Sequence, residues 1–130
     1  MITPDDRNLN IIAHILEYCK RIENCLSRFE NSHEDFMSDS MFRDAVSMDE
    51  FQIGELSGHL SEEFKELHKV KIPWKEIRGM RNIFAHNYLD MDTQKIWEVA
   101  TIDIPVLRKF CEDMIQNHAI CEEVEESKEE

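Results

Sequence analysis

An all-α fold, an antiparallel bundle of about five helices, is what this sequence predicts, on three observations. Apolar residues recur at steps of three and four along most of the chain. Three glycines and three prolines in 130 residues supply few of the turns that a β protein needs. Charged residues make up 33% of the chain, which suits helices with one solvated face. A chain of this length forms one domain and buries roughly two-thirds of the surface its unfolded form exposes, so it needs no cross-links. That domain is expected over residues 1–121.

The first helix opens at Thr3-Pro4-Asp5-Asp6. These supply a capping hydroxyl, a proline at the first helical position and an acid three residues after the cap. Ile11, Ile15, Cys19, Ile22, Leu26 and Phe29 form one stripe, widened by Ile12 and Leu16, and Asn31-Ser32-His33 marks the exit. From Ser38 or Asp39 the pattern resumes as Phe42, Val46, Ile53, Leu56, Leu60, Phe64 and Leu67, with Asp49 at the intervening step. Ser47-Met48-Asp49-Glu50 has the form of a capping box, but continuity of phase favours one long helix with Ser47 inside it. The segment from His68 to Lys71 ends that helix.

Ile72-Pro73-Trp74 starts the next helix, with Ile77, Met80 or Arg81, and Phe84 facing inward. Asp92 caps a shorter helix containing Ile96, Val99 and Ala100, although Ile96 to Ile102 alone also reads as a strand. Asp103 and Pro105 open a last helix with Leu107, Phe110, Cys111, Met114 and Ile115 inward. Residues 122–130 hold six acids and one lysine without apolar periodicity and are expected to be a disordered acidic tail. No internal repeat is present.

Cys19, Cys25, Cys111 and Cys121 form no CxxC pair and read as free thiols of a reducing compartment. The acidic N-terminus and the lack of 18 consecutive apolar residues predict neither signal peptide nor membrane span, hence a cytoplasmic protein. Six histidines yield no HxxxH or HExxH spacing, so no metal and no cofactor is expected. Glu55, His59 and Glu63, at i, i+4 and i+8 of the expected long helix, read as surface charge pairing. Gly54 and Gly58 read as positions of close helix packing, within the chain or across a dimer interface. Trp74 and Trp97 read as anchors of the core or of an interface.

The 28 acids and 15 basic residues leave a net charge of −13, yet the charge is uneven. Lys65, Lys69, Lys71, Lys75, Arg78 and Arg81 face only Glu66 and Glu76 within residues 65–81, an excess of four. By themselves these cations read as the solvated face of two helices. The residues that follow, Arg81-Asn82-Ile83-Phe84-Ala85-His86-Asn87-Tyr88, add another reading. On a helix Asn82 and His86 are i and i+4, with Arg78 one step back on that face. A guanidinium, an imidazole and a phenol at one helix end suit phosphodiester chemistry. Imidazole moves protons near neutral pH, and guanidinium forks onto phosphate oxygens. His86 could take the proton of a ribose 2′-hydroxyl while Arg81 stabilises charge at phosphorus, with no metal required. The same spacing also fits a structural role: Arg81 paired with Glu76, Asp90 or Asp92, and His86 as a cation at a helix C-terminus.

The run RGMRNIFAHNYLDMD, with Arg81, Asn82, His86 and Tyr88 as R-N-x-x-x-H-x-Y, resembles the signature of the HepT-like toxins of the HEPN superfamily. Similar stretches extend the resemblance over roughly Arg7 to Asn117: Asp44-Ala45-Val46, Gln52-Ile53-Gly54-Glu55, Ile72-Pro73-Trp74, Trp97-Glu98 and Ile104-Pro105-Val106-Leu107. It implies an all-helical homodimer whose motif helices share one cleft, a metal-independent endoribonuclease leaving a cyclic phosphate. It also implies a minimal nucleotidyltransferase antitoxin that adds AMP to the motif tyrosine in some systems. Carried over, Arg81 and His86 are catalytic, Asn82 supports the motif and Tyr88 is the site of AMPylation. Lys71, Lys75 and Arg78 are then candidate RNA contacts. The alternative within the resemblance is a catalytically silent helical module whose Tyr88 accepts AMP from such a partner.

Overall fold

The computed structural model describes residues 3–83 and 92–129, with the backbone alone for residues 83 and 119–129. Every regular element among the described residues is helical: α1 (Pro4–Arg28), α2 (His33–Ser38), α3 (Ser40–Ser57), α4 (Glu62–Leu67), α5 (Trp74–Gly79), a 3₁₀ turn (Met80–Ile83), α6 (Thr93–Glu98), a π turn (Val99–Asp103) and α7 (Ile104–Glu129). The all-α bundle expected from the periodicity is therefore what forms.

Helix α1 begins as its sequence requires. The Thr3 hydroxyl accepts from the Asp6 N–H and the Asp6 carboxylate accepts from the Thr3 N–H. Its inward stripe is buried from Ile11 to Leu26, with Phe29 half-buried at the end. The exit comes earlier than expected, at Arg28, because Glu30 and Asn31 both take φ near 55° and the Asn31 N–H returns to the Leu26 carbonyl. Ser32 does not belong to that exit. Its hydroxyl caps α2 at the Asp35 N–H.

Helices α1, α3 and α7 make the core, with α1 packed on both others. Ile12, Ile15, Cys19 and Ile22 of α1 meet Phe42, Val46 and Ile53 of α3 and Ile104, Leu107 and Cys111 of α7, all essentially inaccessible. Each such aliphatic side chain contributes roughly 1.5–3 kcal/mol relative to exposure. Two aromatic clusters fasten the short helices. Phe36 of α2 lies edge-on to Phe42 and against Trp97 of α6. Phe64 of α4, Trp74 of α5 and Phe110 of α7 meet in the other. Both tryptophans are thus anchors inside one chain.

The single long helix expected from Phe42 to Leu67 is two helices. The break is tertiary in origin. The buried Asn8 of α1 donates from Nδ2 to the Ser61 hydroxyl and accepts the Ser61 N–H at its amide oxygen, both at 3.0 Å. The Ser61 hydroxyl in turn caps α4 through the Phe64 N–H. With the turn fixed there, Leu60 still points inward but Leu67 is thrown outward, 77% exposed. Glu55, His59 and Glu63 consequently fall on α3, the turn and α4, and share no helix face. The capping box at Ser47–Glu50 is likewise unused, since α3 runs straight through it from the Asp39 cap.

Asp92 caps α6 as expected, accepting from the Lys95 N–H. Ile96 to Ile102 is helical, not a strand. The step before Pro105 is a π turn, in which the Ile104 N–H reaches the Val99 carbonyl five residues back. Helical backbone then runs on to Glu129, where the sequence suggested none beyond Cys121; glutamate and lysine extend an existing helix at little cost.

Candidate functional site

The site is built where the end of α5 crosses the end of α3. Trp74, Ile77 and Met80 are buried and pin α5 and its 3₁₀ extension to the bundle. This leaves Lys75, Arg81 and Asn82 exposed and Arg78 half-exposed on the outer side. The tightening from α to 3₁₀ at Met80 brings residues three apart nearly into line, so Arg81 follows Arg78 more closely than in an uninterrupted helix.

Two glycines of α3 make this crossing possible. A β-carbon at Gly54 would stand 2.5 Å from the Arg81 backbone nitrogen and 3.1 Å from the Met80 carbonyl carbon. The motif backbone thus lies directly on the α3 backbone. One turn on, a β-carbon at Gly58 would occupy the place of the Arg78 guanidinium. Close packing at both glycines is therefore satisfied within the chain, by the segment that carries the motif arginine.

Arg81 pairs with Glu55 of α3, its Nε standing 3.1 Å from Oε1. The partners expected from sequence were Glu76, Asp90 or Asp92; Asp90 lies outside the described residues, and Glu55 was overlooked because helix spacing cannot show which carboxylate a second helix brings near. Both side chains are about two-fifths exposed, so the pair adds little stability, about 0–1 kcal/mol. Its effect is orientational: with Nε turned toward Glu55, the edge bearing the terminal nitrogens is the one that can meet a phosphate. Asn82 is exposed at the same end. His86 and Tyr88 lie outside the described residues.

Beside Arg78 an open cleft of about 770 Å³ runs between α4 and α5, lined by Lys65, Lys69, Trp74, Lys75 and Arg78 together with Glu62 and Glu66. Lys65 pairs with Glu62, and Lys69 with Glu66. Of the three RNA-contact candidates, Lys75 and Arg78 line this cleft and Lys71 does not. Lys71 stands near His68, whose pKa is lowered by burial and by that ammonium.

Sequence inspection also passed over Glu50. It is wholly buried on α3, and neither carboxylate oxygen has a hydrogen-bond partner among the described residues; nor has the hydroxyl of Ser47, one turn earlier. Burial raises the Glu50 pKa well above the ordinary carboxylate range, and the negative Asp103 adds to the rise. A hydrophobic pattern cannot reveal such a residue, since it occupies a core position with a polar side chain. Among the described residues no group of three His, Cys, Asp or Glu is placed to hold a metal ion, and no helix is long and apolar enough to cross a membrane.

The ribonuclease HepT-like family model matches residues 15–114. A Caldanaerobacter subterraneus subsp. tengcongensis protein with a provisional RNase name is 37% identical over 106 residues, 81% of this chain and 91% of that protein. A Methanocaldococcus jannaschii protein, also with a provisional RNase name, is 31% identical over 98 residues, 75% of this chain and 81% of the other. A Thermococcus cleftensis protein provisionally named ribonuclease HepT is 37% identical over 75 residues, 58% and 67% of the two chains. No solved structure matches the chain.

Proposed function

The chain belongs to the HepT-like family, and on that premise we propose that it is a metal-independent endoribonuclease, the toxin of a toxin–antitoxin pair. The observation that carries this reading is the presentation of Arg81. Gly54 seats its backbone, Glu55 orients its guanidinium, and a cationic cleft opens one turn away. A fixed, exposed guanidinium is the group that stabilises charge building on a phosphodiester.

In the reaction, His86 accepts the proton of a ribose 2′-hydroxyl, whose oxygen attacks the adjacent phosphorus. The bond from phosphorus to the 5′ oxygen breaks and that oxygen takes up a proton, leaving a 2′,3′-cyclic phosphate and a 5′-hydroxyl. Arg81 neutralises the charge on the phosphoryl oxygens as they pass through the crowded intermediate geometry. Asn82 supports the motif. Two chains associate so that two motif segments share one cleft, which also doubles the local cation density and offsets the chain's net charge of −13. A minimal nucleotidyltransferase is the antitoxin, acting in the cytoplasm by transfer of AMP to Tyr88.

The test is cleavage of labelled tRNA and unstructured RNA in EDTA by wild type, Arg81→Ala and His86→Ala, with intact mass showing Tyr88 unmodified. General acid–base catalysis is worth about 10²- to 10⁴-fold, so His86→Ala lowers cleavage by at least about two orders of magnitude. Cyclic-phosphate ends formed by wild type and lost in both variants are the expected result. A folded, unmodified dimer that cuts neither RNA would refute the nuclease. AMP transfer to Tyr88 by the partner would then make the chain a nucleotide-accepting binding module.

A further inference from the structure

The α4–α5 cleft holds more than surface charge. Lys65 and Lys69 are neutralised by Glu62 and Glu66, which leaves Lys75 and Arg78 as the lining cations without a carboxylate partner among the described residues. Trp74 lines the same cleft, is 7% exposed, and carries a buried indole N–H with no acceptor among the described residues. Two unpaired cations in one cleft therefore call for a negatively charged ligand.

Position says which ligand. Arg78 sits over Gly58 and Arg81 over Gly54, about one turn apart along α3, a separation of about 6 Å along that helix. This places the cleft within reach of a strand that presents one phosphate to Arg81. The geometry points to this cleft as a subsite for a neighbouring phosphodiester of the same single RNA strand, held by Lys75 and Arg78. The inference rests on the ribonuclease reading and extends it: chemistry is placed at Arg81 and grip on the strand in the cleft.

The test uses the full chain and a short single strand of 2′-O-methyl RNA, which binds but cannot be cut by its own 2′-oxygen. Affinity is measured against salt concentration for wild type, Lys75→Gln, the double variant Lys75→Gln/Arg78→Gln, and Lys20→Gln as a control on an exposed face of α1. Each phosphate contact on a single strand contributes about 0.7 to the slope of log affinity against log salt. The subsite holds one phosphate, so the double variant should be shallower than wild type by about 0.7, Lys75→Gln shallower by part of that, and Lys20→Gln unchanged. Lys75 is exposed, so its single variant keeps the test valid should the double variant fold poorly.

Equal slopes for all four proteins would overturn the subsite. The nuclease would survive that result as long as unmodified RNA is cut by wild type and not by Arg81→Ala. Failure of wild type both to cut RNA and to bind the 2′-O-methyl strand would remove the nuclease and the subsite together. Orthophosphate binding that is lost in the double variant, with RNA slopes unchanged, would make the cleft a small-anion site and overturn its assignment to the strand.

Discussion

Replacing Gly54 by alanine is the most informative single perturbation of the motif scaffold. Gly54 lies within α3, where alanine is favoured over glycine by about 0.8–1.0 kcal/mol in helix propensity, so without tertiary contacts the change would stabilise the protein. The contacts reverse that expectation. The new methyl carbon would stand 2.5 Å from the Arg81 nitrogen where ordinary contact begins at 3.4 Å, so the helices must part by about 0.9 Å. All three of its nearest neighbours are backbone atoms of Met80 and Arg81, so no side-chain rotation relieves the clash. Overpacking of this kind costs about 1–3 kcal/mol, which leaves a net loss of about 0–2 kcal/mol after the propensity gain. If Arg81 acts on the phosphodiester as proposed, its displacement by about 1 Å should lower cleavage by up to about 10²-fold. Gly58→Ala is the matched control for stability only: its methyl group meets the far end of the Arg78 side chain, which can turn aside, and should leave stability within about 1 kcal/mol of wild type. Urea unfolding and RNA cleavage report the two effects. A Gly54→Ala protein that is more stable than wild type by the propensity term and cuts RNA normally would show that the crossing of α3 and the motif is not the close contact described.

Other consequences follow from buried groups. Glu50 binds its proton more tightly folded than unfolded, so stability falls as pH rises from the unfolded carboxylate pKa toward the raised folded one, by at most about 1.4 kcal/mol per pH unit. Glu50→Gln should abolish that part of the slope in denaturant titrations above the ordinary carboxylate range, and an unchanged slope would place the titration elsewhere. Asn8→Ala removes both hydrogen bonds to Ser61 and should cost about 1–3 kcal/mol, with faster hydrogen exchange at the Ser61 amide. Burial pushes the Cys111 thiol up to about 12 and that of Cys19 higher still, so neither should react with iodoacetamide at pH 8 until the protein unfolds. Labelling of either in the native state would contradict the packing of α1 on α7.

Local sequence signals were sufficient for much of the bundle. The Thr3 capping box, the α1 stripe, the Asp92 cap and the inward face of α7 each depend on residues within a few positions of one another, and each stands in the structure as the spacing predicts. The R-N-x-x-x-H-x-Y run was legible in the same way, as was the cationic island around it. Features set by residues far apart in sequence were not. Phase continuity from Phe42 to Leu67 spoke for one helix, but Ser61 caps a new one and Asn8, 53 positions earlier, holds the turn there. Glu55 became the partner of Arg81 because the glycine at 54 lets the two backbones touch, a fact about two elements and not about either. Glu50 sits where an apolar residue belongs, and its burial is imposed by the helices around α3. Sequence alone thus determined that the chain is helical, where α1 and α6 are capped, and which residues are candidates for phosphodiester chemistry. The tertiary structure decided where the long helix turns, which carboxylate aims the arginine, and that Lys75, Arg78 and Trp74 share one cleft, because contacts between distant segments leave no period in the chain to read.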